Sequence, residues 1–234
     1  MEKFGPRTMI SSHPEIELAG FIEQTCLKPT ATADDVRQMC WEAQRYRFAA
    51  VCVAPVYAPL AVELLHKQKP QVFTVVGFPL GLATAPCKLF EAQEAAARGV
   101  TGLEVMVNLG AIKSGHYNAI YEELGQIVDA VGCEVRAILE LNLLDATERR
   151  HVAEVCLDVG VTALKTSAGW SGPVRPEDIL GLRRILRNQL GIKVAGGIHT
   201  LNQALELLAA GANRLGTGRG VEILREQHAL GKTA

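Results

Sequence analysis

The chain has 234 residues, 48% of them hydrophobic and 21% charged, which is enough for one sizeable core and is a length that an α/β barrel commonly fills as a single domain. A formal net charge of -1 gives no bulk attraction to nucleic acid or a membrane surface, and no apolar run approaches the roughly 18 residues of a membrane span. Six cysteines lie far apart with no C-x-x-C pair, so neither a zinc site nor a small disulfide scaffold is expected, and reduced thiols are the default.

In chain order, Met1 to Arg7 lacks the apolar stretch of a signal peptide, which points to a cytoplasmic protein. Residues 1–13 read as a flexible segment of a single domain spanning 1–234, and residues 14–19 as a short helix over its bottom. Short apolar runs follow near 21–26, 49–53, 72–76, 102–107, 135–140, 161–165, 191–195 and 213–216 and read as strands. Their starts are roughly 25 to 30 residues apart, the length of one strand plus one crossover helix. The helical patterns between them run from Ala33 to Tyr46, Tyr57 to Lys67, Cys87 to Arg98, His116 to Ala130, Ala146 to Asp158, Pro176 to Leu190 and Leu201 to Ala210. Thr32 reads as an N-cap ahead of Asp34 and Asp35, whose carboxylates suit the positive helix end. Gly99, Gly160, Gly191 and Gly211 read as the left-handed residues that close helices. Eight strands alternating with helices imply a parallel sheet covered on both faces, and the count favours closure into a (β/α)8 TIM barrel over an open doubly wound sheet.

In such a barrel the reactive groups belong at the carboxyl ends of the strands. The polar residues that interrupt the apolar runs there are Glu23, Thr25, Cys52, Glu104, Asn108, Arg136, Glu140, Lys165 and Lys193. Lysine is almost never buried without a partner, yet Lys165 and Lys193 each lie in a short apolar run. On neighbouring strands they would face each other. A second cation disfavours the charged form of the first, leaving one lysine partly neutral and nucleophilic at about pH 7. That is the chemistry of a Schiff-base enzyme. The surrounding carboxylates and arginine suggest mutual neutralisation around a polar pocket. The competing reading is a purely stabilising ion network, or strands shifted by one residue so that these groups face the helices. Cys52, inside Ala49 to Val53, reads first as a small core residue.

Two glycine-rich turns follow the last two strands, Ala195 to Thr200 and Leu215 to Gly220, where barrels commonly hold phosphate on exposed backbone N–H groups. A third turn, Ser167 to Gly172, follows Lys165. His199 lies near this presumed site, and Trp170 is either a pocket wall or a loop anchor. Gly216 to Gly220 imitates a dinucleotide loop, but no βαβ unit has room to follow it. Gly231-Lys232-Thr233 imitates the end of a P-loop, but Glu226 stands where glycine is needed. The six histidines show no metal spacing, so no metal site is expected.

Phe21 to Thr30, Val51-Cys52-Val53, Gly77 to Gly81, Val105 to Gly110 with Lys113-Ser114-Gly115, Leu164 to Gly169, Lys193 to Gly197 and Arg214 to Thr217 together resemble the deoxyribose-phosphate aldolase family, in register over nearly the whole chain. The resemblance implies a class I aldolase on a TIM barrel, cleaving 2-deoxyribose 5-phosphate reversibly to glyceraldehyde 3-phosphate and acetaldehyde. Its partner would be a small phosphorylated sugar, with no cofactor or metal and no nucleic acid or membrane. The resemblance further implies that Lys165 forms the Schiff base, that Lys193 keeps the pKa of Lys165 low, and that Glu104 moves protons with the help of water. Glu23, Thr25 and Cys52 fall among the substrate-binding positions, and Gly169, Gly196, Gly197, Gly218 and Arg219 on the phosphate-binding ones.

The chain departs from the family where Glu104 and Glu23 replace aspartates, each reaching one methylene further. It departs again where Gly216-Thr217-Gly218-Arg219-Gly220 exchanges hydroxyl donors for an arginine. Two alternatives stand beside the aldolase reading: a Schiff-base aldolase or lyase on another phosphorylated aldehyde, and a non-catalytic barrel that binds sugar phosphates. Barrels of this kind often pair through helices, so a homodimer is the assembly suggested.

Overall fold

A computed structural model describes residues 17–231. Eight parallel strands close into a barrel in sequence order: β1 (Ile22–Cys26), β2 (Ala50–Val53), β3 (Gln71–Val76), β4 (Gly102–Met106), β5 (Glu134–Ile138), β6 (Ala163–Lys165), β7 (Gly191–Ala195) and β8 (Arg214–Thr217), with β8 paired back onto β1. The helices are α1 (Ala33–Tyr46), α2 (Ala58–Leu64), α3 (Ala85–Ala97), α4 (Leu109–Lys113), α5 (Tyr117–Ala130), α6 (Ala146–Val159), α7 (Pro176–Leu186), α8 (Leu201–Ala209) and α9 (Gly220–Gly231). The expected TIM barrel is the fold observed.

Local chemistry explains the helix ends. Thr32 caps α1 by accepting from the Asp35 backbone N–H, and the Asp35 carboxylate returns the bond to the Thr32 backbone, so two otherwise orphaned donors are satisfied. Asp145 and Glu148 repeat the device at α6, which ends on Gly160 at φ 86°. Gly191 does not close a helix. It is the first residue of β7, and α7 stops at Leu186, with Arg187 and Asn188 taking the left-handed conformation instead. Leu109–Lys113 and Gly220–Gly231 are helices that no sequence pattern announced. Of the short helix expected at 14–19, residues 14–16 lie outside the described residues, as does the whole 1–13 segment. What is described there is a 3-10 turn, Leu18–Phe21.

Strand alternation builds two cores. Val51, Val53, Leu103, Val105, Leu164, Val194 and Leu215 face outward and pack against the helices in one continuous apolar layer, each side chain worth ~1.5–3 kcal/mol on full burial. Inside the barrel, a small apolar group of Ala50, Cys52, Phe73 and Val75 occupies one side. Phe73 has room because Gly102 pairs with it on β4, and a Cβ at 102 would collide with the ring. The rest of the lumen is charged. Among the described residues, no helix is long and apolar enough to cross a membrane.

Candidate active site

Parallel pairing sets Lys165 on β6 directly beside Lys193 on β7, and Glu104 on β4 beside Arg136 on β5. With Glu23 on β1 these five side chains meet in the lumen, each 6% exposed or less. Lys165 Nζ donates to Glu104 Oε2 at 2.7 Å. Lys193 Nζ donates to Glu104 Oε1 at 2.6 Å and to Glu23 Oε2 at 2.5 Å. Arg136 donates to both oxygens of Glu23, at 2.8 and 2.9 Å, and stacks over the Phe73 ring with Cζ 3.6 Å from its centroid. Among the described residues no buried side-chain polar atom lacks a partner, which is what makes so much interior charge tolerable.

Burial alone would raise the Glu104 carboxyl, but Lys165, Lys193 and Arg136 outweigh it and hold the group well below the ordinary carboxylate range. Glu23 is lowered too, against its burial, by Lys193 and Arg136. Burial works against the charge on Lys193, yet Glu104 and Glu23 hold its ammonium well above the usual lysine range. The simple picture of two cations repelling each other therefore needs correction. A carboxylate stands between them, with one oxygen on each, and Lys193 is the lysine kept charged.

Cys52 Sγ lies 3.4 Å from Glu104 Oε2, and burial, with the Glu104 charge adding to it, pushes the thiol up to about 12. It is a neutral filler beneath the pocket. Thr25 lines the pocket, its hydroxyl donating to the Glu23 backbone carbonyl at 3.2 Å.

Above the cluster opens a cavity of about 1320 Å3, with Lys165 at its base and Gly169, Gly196, Gly197, Gly218 and Arg219 among its walls. Among the described residues, the backbone N–H groups of Gly196, Gly197 and Gly218 meet no acceptor, which leaves three donors on the cavity wall able to receive an anion. The N–H groups of Gly169 and Arg219 are already used, by Ser167 Oγ at 2.8 Å and Thr217 Oγ1 at 3.0 Å. His199 and Trp170 both line the same cavity and are exposed.

Two sequence candidates serve elsewhere. Asn108 caps α4, its Oδ1 accepting from the Ala111 N–H at 3.1 Å. Glu140 points into the loop between β6 and α7 rather than into the lumen cluster. Two residues of the site were not singled out. Phe78 places its ring 5.5 Å from Lys165 Nζ, and the only hint was its place between two glycines in Gly77 to Gly81. Gln24, on the outer face of β1, accepts from the Gly220 N–H at 3.0 Å and so seats the start of α9, for which the sequence offers no signal.

No family model matches the chain. It is 50% identical over 222 residues to a protein from Cyanothece sp. named deoxyribose-phosphate aldolase, covering 95% of this chain and 97% of that one. It is 46% identical over 219 residues to one of the same name from Trichormus variabilis, covering 94% and 97%. A solved structure of deoxyribose phosphate aldolase from Aeropyrum pernix, described as a unique tetramer, superposes with a TM-score of 0.85 at 32% identity, over 91% of this chain and 92% of that one.

Proposed function

The chain belongs to the deoxyribose-phosphate aldolase family, and from that premise we propose that it cleaves 2-deoxyribose 5-phosphate reversibly to glyceraldehyde 3-phosphate and acetaldehyde, with Lys165 as the Schiff-base nucleophile. The observation that carries the reading is the Lys165–Glu104–Lys193 bridge at the base of a cavity whose rim bears free glycine N–H groups.

Lys165 Nζ attacks the C1 aldehyde of the open-chain sugar, and Glu104 Oε2, 2.7 Å away, is placed to take the proton that the amine loses. Glu104 returns that proton to the carbinolamine hydroxyl, which leaves as water, giving the iminium and a free carboxylate. The C2–C3 bond then breaks, its electron pair moves toward the iminium to form an enamine, and the C3 hydroxyl proton passes to Glu104, directly or through water. Return of that proton to C2 and hydrolysis of the iminium release acetaldehyde and free Lys165. Lys193 stays charged throughout and offsets the negative charge of Glu104, while the phosphate sits on the Gly196, Gly197 and Gly218 amides with Arg219 alongside. The extra methylene of Glu104 spans the distance to both lysines at once.

Borohydride added with 2-deoxyribose 5-phosphate is expected to leave an ethyl group on Lys165, and Lys165→Ala to abolish both trapping and cleavage. No adduct under saturating substrate overturns the reading.

A further inference from the structure

Glu140 is fully buried, lies two residues past the end of β5, and holds a left-handed backbone at φ 50° and ψ 61° that side-chain-bearing residues seldom adopt. Its carboxylate partners are neutral. Oε1 accepts from Ser167 Oγ at 2.6 Å and from Ser171 Oγ, and Oε2 accepts from the Ala168 N–H at 2.7 Å. All three donors belong to the loop that leaves Lys165 and leads to α7. Asn142, two residues on, donates through Nδ2 to the carbonyls of Ser171, Gly172 and Pro173 in the same loop. The end of β5 thus grips this loop along its length.

What the loop supports is the anion turn. A Cβ built on Gly196 would meet Ser167 Oγ at 3.4 Å, Gly169 Cα at 3.5 Å and the Gly172 carbonyl at 3.5 Å, and one on Gly197 would meet Pro173 Cβ at 2.9 Å. The two loops are pressed face to face, and the Gly196–Gly197 backbone has the Glu140-bound loop as its backing. The Ser167–Ser171 segment would itself be an anion nest if its donors were free. Instead the protein's own carboxylate fills it, so the donors turn inward and an incoming phosphate meets only the Gly196, Gly197 and Gly218 side of the rim.

We infer that Glu140 is a positioning residue for phosphate recognition: by occupying the nest after β6 it fixes the loop that backs the Gly196–Gly197 turn, and it acts on the phosphate end of the substrate rather than on Lys165. The inference rests on the functional reading above, and its test separates the two.

Wild type, Glu140→Ala and Glu140→Gln are compared on 2-deoxyribose 5-phosphate and on unphosphorylated 2-deoxyribose. In Glu140→Ala the KM for the phosphorylated sugar is expected to rise about tenfold, the scale of losing hydrogen bonds to a buried charge, while kcat/KM for 2-deoxyribose stays within about threefold. Formate, refilling the vacated nest, is expected to restore much of the loss. Glu140→Gln keeps one carbonyl acceptor for the serine hydroxyls and is expected to fall between; if Glu140→Ala does not fold, it carries the same comparison. Equal losses on both sugars, or an unchanged KM, overturn the inference. If wild type cleaves neither sugar, the functional reading fails by itself. The positioning role is then read by titrating inorganic phosphate against Trp170 fluorescence in a Trp41→Phe background. Weaker binding in Glu140→Gln supports the role, and unchanged binding overturns it.

Discussion

The lumen and the rim of this barrel hold charge by opposite means. In the five-residue lumen cluster the ion pairs join one side chain to another, and strand pairing fixes the partners, as where Lys165 stands beside Lys193 and Glu104 beside Arg136. At the rim the donors are backbone amides of Gly196, Gly197 and Gly218, presented by turns. A side-chain cluster is specific and brittle, because removing one member strands a buried partner. A backbone nest is more tolerant, because each amide contributes separately and losing one leaves no buried charge unpaired. The lumen is thus suited to chemistry on one bond, and the rim to holding a charged handle.

Substitutions should separate the two regions. The largest effect is expected from Lys193→Met, which takes away the ammonium hydrogen-bonded to both Glu23 and Glu104 and leaves Arg136, 3.7 Å from Glu104, as the remaining cation within reach of both. Urea unfolding should show a loss of about 3–5 kcal/mol, with activity lost alongside. Next, Glu104→Asp draws the carboxylate back and cannot keep both lysines at the 2.6 and 2.7 Å seen here. The expected fall in kcat is about a hundredfold, with borohydride trapping at Lys165 retained. A rim change should look different. Gly197→Ala puts a side chain on a backbone at φ 73° and against Pro173, a strain of about 1–3 kcal/mol. It should appear mainly as a raised KM for the phosphorylated sugar, and an equal fall in kcat would erase the distinction between rim and lumen.

The smallest effect near neutrality is the pH dependence of stability. The folded pKa of Glu104 lies below its ordinary 4.5, so its contribution is present above that value and is lost as pH falls through the depressed one. The folded pKa of Lys193 lies above its ordinary 10.5, so its contribution is present below that value and is lost as pH rises through the raised one. Unfolding free energy should therefore show the lumen's full contribution from about pH 5 to pH 10 and an erosion on both sides, and Lys193→Met should flatten the alkaline edge.

The barrel was legible because consecutive parallel strands leave repeating apolar runs, and the lysines were legible because they interrupt those runs. Distances across the lumen were not. That Glu104 on β4 reaches between lysines on β6 and β7 depends on closure of the barrel, so neighbouring strands by themselves reveal a second cation but not the carboxylate between the two. Glu140 was read with the lumen group because alternation along a strand assigns faces only within it, and Glu140 stands beyond β5 on a left-handed backbone. The α4 helix has five residues, too few to display a 3.6-residue period, and its capping Asn108 looked like a reactive group. Glycine spacing located the anion turns but not which amides were free, since that depends on the hydroxyls of Ser167 and Thr217 claiming two of them.

The Arg136–Phe73 stack, seated on Gly102, packs the guanidinium onto a ring instead of turning it toward the cavity. Of the five clustered side chains, Lys165 lines the cavity, and Glu23, Glu104, Arg136 and Lys193 do not. An aldehyde arriving from the mouth therefore meets one amine, and the second lysine is shielded from carbonyls that would otherwise cap it.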